Sequence, residues 1–151
     1  MVGDGSYMMM NSELATSVML GLKLTIVLLD NRGYGCINRL QHACGSERFN
    51  NLYDYNTRQE VSPEIDFVAH AKSQGAIALK ASSLADLEAA LVQSKQNMRT
   101  TVIVIDTDPM ISTDAGGHWW DVAVPEVSVR PQVNAARKDY EKAMLAQRLG
   151  D

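Results

Sequence analysis

The sequence predicts an α/β protein built on a doubly wound parallel sheet with helices on both faces. A continuous run of β-branched and aliphatic residues occupies residues 24–29 and is typical of a buried parallel strand. Two further strands are expected at residues 76–81 and 100–106. Segments with apolar residues at helical spacing separate these runs. Strands that alternate with helices favour a parallel sheet, because each helix carries the chain back to the same end of the sheet.

The first strand is expected at residues 1–2, directly before a glycine-rich turn. The apolar segment that follows predicts a helix over residues 11–20, whose packed stripe contains Met10, Leu14 and Val18 at four-residue spacing. The consecutive methionines at the start of this segment are interpreted as core filler in preference to a cofactor pocket. Together with the run at 24–29, these elements form one βαβ unit.

The rest of the chain continues the alternation, with a long polar connection after the second strand. The first helix is expected to be capped by Asn11 or Ser12, and a short helix after the second strand is expected to reach Gln41. Residues 43–62 form a connection that Phe49-Asn50-Asn51 is expected to order near the site, and a helix is expected from Pro63 to Gln74. A helix over 84–96, capped by Ser82 or Ser83, has Leu84, Leu87 and Leu91 on one stripe, and a charged surface helix is expected over 135–149.

Two turns stand at the ends of the first two predicted strands: Gly3-Asp4-Gly5-Ser6 and Asp30-Asn31-Arg32-Gly33. In a βαβ unit the strands are parallel, so their C-terminal ends lie at the same edge of the sheet. If the two strands pair directly, Asp4 and Asn31 are roughly 5 Å apart, the spacing of neighbouring strands. Open α/β sheets bind their ligands at this edge.

The side chains at this edge have a specific chemistry. The carboxylate of Asp4 and the amide oxygen of Asn31 are hard ligands that suit Mg²⁺ or Ca²⁺, completed by water and phosphate oxygens. The glycines beside Asp4 let the backbone approach a ligand closely. The N–H groups of Gly5 and Ser6 precede a helix, where anions are favoured. The two turns together predict a metal-bridged diphosphate site.

A simpler interpretation is an ordinary strand-to-helix turn in which Asp4 only caps the helix. For the first turn taken alone, this capping interpretation is favoured. Asn31 at the end of the next strand, with Gly33 behind it, reverses that preference in favour of the metal site.

These residues also resemble a known motif. Gly3-Asp4-Gly5, followed after a spacer by Asn31, is similar in spacing and flanking structure to the cofactor motif of the thiamine diphosphate-dependent enzymes. The resemblance implies the thiamine diphosphate-binding fold, truncated at its N-terminus. One departure is minor: the superfamily often has Asn-Asn where this chain has Asp30-Asn31, and the metal-binding position is the second of the pair.

The resemblance implies two cofactors, thiamine diphosphate and Mg²⁺. In that superfamily the Asp, the Asn side chain and the carbonyl group two residues beyond the Asn hold Mg²⁺, which in turn holds the diphosphate. Carried over to this chain, the implied metal ligands are Asp4, Asn31 and the backbone of Gly33. The implied cofactor-binding set is Gly3, Asp4, Gly5, Ser6, Asn31, Gly33 and Tyr34.

A narrower resemblance covers most of the chain. Residues 3–21, 29–41, 49–52 and 116–128 are similar to the hydrolase family of inositol catabolism that opens the ring of 3D-(3,5/4)-trihydroxycyclohexane-1,2-dione by C–C cleavage. This family implies a small cyclic dione as the substrate. Two alternatives stay open: an acetolactate synthase-like or 2-oxo acid decarboxylase enzyme with the same cofactor, and a non-catalytic phosphate- or metal-binding module.

The most discriminating stretch of this resemblance is glycine-led and contains His118, Trp119 and Trp120. Adjacent tryptophans are costly to expose, so they are expected to dock in a groove, either at the active-site entrance or at a subunit interface. His118 is a candidate for polar contacts with the substrate. The sequence favours neither position for the tryptophans.

The superfamily implies partners for this chain. Its activating glutamate comes from a pyrimidine-binding domain, usually of a neighbouring subunit, and no residue of this chain matches it. No catalytic residue is therefore assigned here, a homo-oligomer is expected, and the chain alone is expected not to turn over. Because only two residues precede Gly3, too few for a typical strand, we expect the C-terminal piece of a longer protein.

Composition excludes several classes of function. The 151 residues carry a net charge of −4 without clustered basic residues, which argues against a nucleic-acid surface. The longest apolar strand run is too short to span a bilayer, and no signal-peptide pattern is present. Cys36 and Cys44 form neither a disulfide framework nor a metal motif, and are expected to be reduced thiols of a cytoplasmic protein.

Overall fold

The computed structural model describes residues 1–55, 58, 60–62, 64–111 and 122–147. Strands and helices alternate along most of this part of the chain. The strands are β1 (Val2–Gly3), β2 (Thr25–Asp30), β3 (Ile77–Ala81) and β4 (Thr101–Asp106), and the helices are α1 (Asp4–Met9), α2 (Ser12–Met19), α3 (Gly35–Ala43), α4 (Phe67–Ser73), α5 (Leu84–Gln96) and α6 (Pro131–Ala146), with a short 3₁₀ helix at Tyr53–Tyr55.

The four strands form one parallel sheet in the order β1-β2-β4-β3. Alternate residues of β4 face opposite sides of the sheet: Val102 and Val104 pack with α1, α2 and α4, whereas Ile103 packs with α5. The predicted doubly wound sheet with helices on both faces is confirmed. Since all strands run in one direction, their C-terminal ends lie at a single edge.

The start of the chain differs from the prediction in how its helical segment is divided. The predicted helix over 11–20 corresponds to α2, but a separate helix, α1, begins directly at Asp4. Asn11 stands at the cap position of α2 without a capping hydrogen bond, and its side chain donates to the Met8 carbonyl instead. The chain therefore changes direction between the two helices.

This change of direction overturns the predicted packing of the methionines. Leu14 is buried and Val18 is partly buried against the core, as expected, but Met10 is 68% exposed. Met8 and Met9 are also exposed, so the core-filler interpretation is wrong for all three methionines. The residue of this stretch that enters the core is Tyr7.

The predicted starts of two further helices were wrong, and one leucine predicted to pack against the core is exposed. Helix α4 begins at Phe67, because the Asp66 carboxylate accepts a hydrogen bond from the Ala69 N–H at 2.9 Å and caps it there. The tail helix begins at Pro131, ahead of the predicted 135, and ends at Ala146. On α5, Leu84 is 75% exposed, although Leu87 and Leu91 pack as predicted.

Within the described part of the chain, no helix is long and apolar enough to cross a membrane. Both cysteines of the sequence are described, and neither forms a disulfide. The feature of the fold that matters for function is the direct pairing of β1 with β2, which puts Gly3 opposite Leu29. The turns after these two strands therefore lie side by side.

Candidate metal and diphosphate site

Asp4 is the first residue of α1 and is fully buried. The cap position of α1 is Gly3, which has no side chain with which to cap the helix. Asp4 Oδ2 accepts a hydrogen bond from the Gly33 N–H at 2.6 Å, and Asp4 Oδ1 lies 3.5 Å from the Asn31 N–H. The carboxylate is therefore turned across the sheet edge, towards the turn that follows β2.

The turn after β2 has an unusual backbone. Arg32 adopts a left-handed conformation with φ of 61°, and the Asp30 carboxylate accepts from its N–H at 3.0 Å. Gly33 follows with φ of 141°, and a Cβ there would overlap the Asn51 carbonyl and lie 2.9 Å from the Cα of Leu52. Only glycine fits this position.

Three oxygen-bearing groups converge at the centre of the two turns. One end of the Asn31 side-chain amide lies 3.1 Å from Asp4 Oδ1 and 2.9 Å from the Gly33 carbonyl oxygen. The hydrogen-bonding pattern assigns this end to the NH₂ group, which donates to both oxygens. With a cation between these groups, the amide would turn its oxygen to the same position, where the Gly35 N–H could donate to it at 3.3 Å. The same side chain therefore suits the site with a cation or without one.

The spacing of these oxygens fits Mg²⁺. Ligand oxygens of Mg²⁺ stand about 2.0–2.1 Å from the ion in octahedral geometry, so adjacent ligands are roughly 3 Å apart. A carboxylate, an amide and a backbone carbonyl are also the hard ligands that Mg²⁺ and Ca²⁺ prefer. Among the described residues there is no cluster of three or more His, Cys, Asp or Glu suited to a metal. Because Mg²⁺ takes six ligands and these groups supply three, a cation at this edge would keep open positions for phosphate oxygens.

Electrostatics at Asp4 favour a cation. Burial raises the pKa of its carboxyl above the ordinary value, the backbone N–H groups of Gly33, Asn31 and Gly5 oppose that shift, and the nearby Asp30 adds to it. The pKa of Tyr53 is also raised, first by burial and then by the carboxylates of Asp4 and Asp30. A bound cation would offset the negative charge that burial and Asp30 disfavour.

The structure brings five of the seven predicted cofactor-binding residues into contact with one another: Asp4, Gly5, Asn31, Gly33 and Tyr34. A Cβ on Gly5 would lie 2.7 Å from the Tyr34 ring and 3.1 Å from the Gly33 carbonyl oxygen, so Gly5 closes one side of the cluster. Gly3 is the extended residue before α1, and Ser6 is exposed on its first turn. The assignment of all seven to a cofactor stays a prediction.

Sequence reasoning missed one glycine of this cluster. A Cβ on Gly35 would lie 2.9 Å from the Cγ, Nδ2 and Oδ1 atoms of Asn31, so only a glycine leaves room for that amide. The signal that was available is the repeated glycine after Asn31, in the run Asn31-Arg32-Gly33-Tyr34-Gly35.

The connection after α3 reaches the site through its backbone. Asn51 accepts a hydrogen bond from the Tyr34 N–H at 2.7 Å, which agrees with the expected ordering of this loop near the site. Phe49 is exposed and takes no part in it. The predictions for His118, Trp119 and Trp120 lie outside the described residues.

The chain is similar to proteins of a known family. The family model for the C-terminal TPP-binding domain of thiamine pyrophosphate enzymes matches residues 1–105. A solved structure, the thiamine diphosphate-dependent 4-hydroxybenzoylformate decarboxylase of Rhodococcus jostii RHA1, superposes with a TM-score of 0.61 at 21% identity and covers 71% of this chain and 19% of that one. At this identity the likeness shows the fold alone.

Curated relatives extend the similarity over nearly the whole chain. A Geobacillus thermodenitrificans protein named 3D-(3,5/4)-trihydroxycyclohexane-1,2-dione hydrolase is 39% identical over 98% of this chain and 24% of its own length. A Listeria monocytogenes protein of the same name is 35% identical over 98% of this chain and 23% of its own length. The chain spans about a quarter of the length of these relatives. It belongs to the thiamine pyrophosphate enzyme family, as a C-terminal TPP-binding domain.

Proposed function

We propose that this chain holds Mg²⁺ and the diphosphate of thiamine diphosphate in an enzyme that hydrolyses a C–C bond of 3D-(3,5/4)-trihydroxycyclohexane-1,2-dione and opens its ring. The observation that carries the metal is the convergence of the Asp4 carboxylate, the Asn31 side-chain amide and the Gly33 carbonyl group, at distances that suit Mg²⁺. The shared name of the relatives, at 35–39% identity over nearly the whole chain, supports the substrate.

Each residue of the cluster has a defined part in this proposal. Asp4 supplies the negative charge that attracts the ion, while Asn31 and Gly33 supply neutral oxygens that leave its remaining charge for the diphosphate. The backbone of Gly5 and Ser6, at the start of α1, faces an anion favourably. When bound, thiamine diphosphate supplies the carbon nucleophile for attack on the substrate carbonyl, and the protein orients it.

The proposal requires a partner domain. The glutamate that activates the cofactor is assigned to a pyrimidine-binding domain of the same or a neighbouring subunit in a homo-oligomer. Exposed apolar side chains at the C-terminal ends of α1 and α2, which are Met9, Met10, Met19 and Leu20, support a surface that a partner covers. Two unpaired cysteines support a reducing compartment, the cytoplasm.

The test is an assay of the full-length protein purified without cofactor. Consumption of the cyclic dione is followed with and without thiamine diphosphate and Mg²⁺, beside an Asp4→Ala variant. The matched control is Asp86→Asn, which changes an exposed carboxylate at another strand-to-helix turn. We expect ring opening that needs both additives, is lost in Asp4→Ala and persists in Asp86→Asn.

The other outcomes separate the alternatives. Turnover of pyruvate in place of the dione, still dependent on the cofactor, would keep the site and replace the substrate by that of an acetolactate synthase or a 2-oxo acid decarboxylase. Binding of inorganic phosphate as tightly as thiamine diphosphate, without turnover, would indicate a non-catalytic phosphate-binding module.

A further inference from the structure

We propose that Asn51, Leu52 and Tyr53, here called the 51–53 clamp, orient the two peptide groups of the turn after β2 that face the metal. In this role they act as positioning residues that set the affinity for the ion without touching it. The inference rests on the proposed function and deepens it, because it names what controls metal binding at the same site.

The hydrogen bonds of the clamp show how it acts. The peptide group between Arg32 and Gly33 is held at both ends: its carbonyl accepts from the Tyr53 N–H at 3.0 Å, and its N–H donates to Asp4 Oδ2 at 2.6 Å. In the next peptide group, between Gly33 and Tyr34, the N–H contacts the clamp and the carbonyl faces the candidate metal site. Its N–H donates to the Asn51 carbonyl at 2.7 Å, and its carbonyl faces the Asn31 amide at 2.9 Å.

The rigidity of the peptide bond makes these contacts directional. In a planar trans peptide the C=O and the N–H point in opposite directions, so fixing one end of the group aims the other. Both groups have one end on the 51–53 clamp and the other end on the candidate metal site. Any rotation of the Gly33–Tyr34 peptide group that breaks the bond to Asn51 also turns the Gly33 carbonyl away from the site.

Close packing adds to this control. Gly33 and Leu52 form an antiparallel bridge, and the clamp backbone occupies the space that a Gly33 side chain would need. Without the clamp, a glycine has more backbone freedom than any other residue, and the turn would have no fixed carbonyl direction. The clamp therefore restricts the backbone conformation of Gly33, the residue of the turn with the widest choice of conformations.

The clamp is itself anchored at two points. Leu52 is only 4% exposed, and its carbonyl accepts from the Tyr55 N–H at 3.0 Å. The Asn51 side chain donates to the Gln41 side-chain oxygen, and the Gln41 amide donates to the Glu47 carbonyl at 2.6 Å. Gln41 of α3 thus ties together the two ends of the loop that carries the clamp.

The first experiment removes one backbone donor. Tyr53→Pro eliminates the N–H that binds the Arg32 carbonyl, whereas Tyr53→Ala removes the same side chain and keeps the N–H. Proline suits this position, since Tyr53 begins a 3₁₀ helix and the preceding Leu52 is extended in the bridge. The readout is Mn²⁺ binding to the full-length protein by electron paramagnetic resonance, with and without thiamine diphosphate, because Mn²⁺ takes the same oxygen ligands.

We expect Tyr53→Pro to bind Mn²⁺ about tenfold or more weakly than Tyr53→Ala, within the 10–100-fold range known for groups that orient metal ligands. A second pair covers the case in which the proline variant does not fold. Leu52→Ala leaves a cavity under the clamp, and Leu52→Met fills it with a side chain of similar volume. Weak Mn²⁺ binding in Leu52→Ala and recovery in Leu52→Met would support the clamp.

Equal affinity in all four variants, with wild-type binding that Asp4→Ala abolishes, would overturn the clamp and leave the proposed function intact. Absence of Mn²⁺ binding in the wild type, or binding that Asp4→Ala leaves unchanged, would overturn both. Thermal unfolding of each variant, measured without metal, separates a change of affinity from a loss of the fold.

Discussion

Two strand-to-helix turns at the same edge of the sheet use a carboxylate in opposite ways. After β3, Asp86 is exposed and serves its own helix: its Oδ2 accepts from the Ser82 N–H at 3.0 Å, and the Ser83 hydroxyl accepts from the Asp86 N–H at 3.1 Å. Ser83 therefore caps α5, and Asp86 accepts from the residue before the cap, so both side chains satisfy backbone donors at the start of this helix.

After β1, Asp4 is buried, and its carboxylate is turned to Gly33 and Asn31 in the turn that follows the neighbouring strand. The cap position of α1 is Gly3, which has no side chain with which to cap the helix. The comparison shows that a glycine–aspartate turn and a serine-capped turn differ in where the carboxylate finds its partners. Burying a carboxylate costs free energy, and a cation bound beside it would offset that cost.

The largest expected effect on metal affinity comes from replacing the Asp4 carboxylate by an amide, with the same replacement at Asp86 as the control. Asp4→Asn keeps an oxygen for the Gly33 N–H but removes the charge, so we expect Mn²⁺ affinity to fall by about 100-fold or more, since a charged metal ligand is lost. Asp86→Asn should leave the affinity unchanged. Paramagnetic resonance titration of both variants measures the contrast, and a similar loss in the two would break the comparison.

A smaller effect is expected from Gly35→Ala. The added methyl group would stand 2.9 Å from the Asn31 amide and push it away from Asp4 and the Gly33 carbonyl. We expect metal affinity to fall by about tenfold, as for other changes that move a ligand without removing it. Ile37→Ala, which truncates an exposed side chain of the same helix, is the control, and calorimetric titration with Mg²⁺ is the measurement.

The pH dependence of stability sharpens the comparison further. Burial raises the pKa of Asp4 in the folded chain, so the folded state binds this proton more tightly than the unfolded state. Without metal, the contribution of Asp4 to stability therefore increases as the pH falls through its folded pKa, and is complete below its unfolded pKa. In Asp4→Asn this dependence should vanish.

The measurement is the unfolding midpoint of the wild type and of Asp4→Asn at a series of pH values without metal. We expect Asp4→Asn to be the more stable at neutral pH and the difference to shrink on acidification. A difference that grows on acidification would show that the hydrogen bonds to the carboxylate outweigh its burial.

The smallest effect is expected at the turn after β3. Ser83→Ala removes the cap of α5 and should lower the free energy of unfolding by about 1 kcal/mol, the usual cost of losing a serine cap. Mn²⁺ affinity should not change. Chemical denaturation gives the first quantity, and a change of affinity would mean that the two turns are coupled.

Strands β2 and β4 were predictable because their apolar runs, rich in β-branched residues, are long enough to show the pattern of a buried parallel strand. The proximity of Asp4 and Asn31 followed from one topological assumption, that β1 and β2 pair directly, and the structure confirms this pairing. The start of α4 was missed because the cap at Asp66 overrides the helix-starting signal of Pro63.

The break between α1 and α2 was missed for a different reason. Methionine occurs at buried and at exposed helix positions, so its spacing does not show which face of a helix is buried. The pattern of residues 8–22 therefore did not reveal that the chain turns after Met9. Gly35 and Leu52 were missed as site residues because neither carries a chemical group that suggests a ligand.

The sequence alone determined the alternation of strands and helices, and with it the chemical identity of the groups at the sheet edge: a carboxylate, an amide and two glycines. These follow from local patterns and from residue chemistry. Only the tertiary structure decided that the Asp4 carboxylate reaches Gly33 across the sheet edge, and that residues 51–53 aim the Gly33 carbonyl. The physical reason is that a backbone carbonyl has the same chemistry at every residue, so its direction depends on hydrogen bonds between segments far apart in the chain.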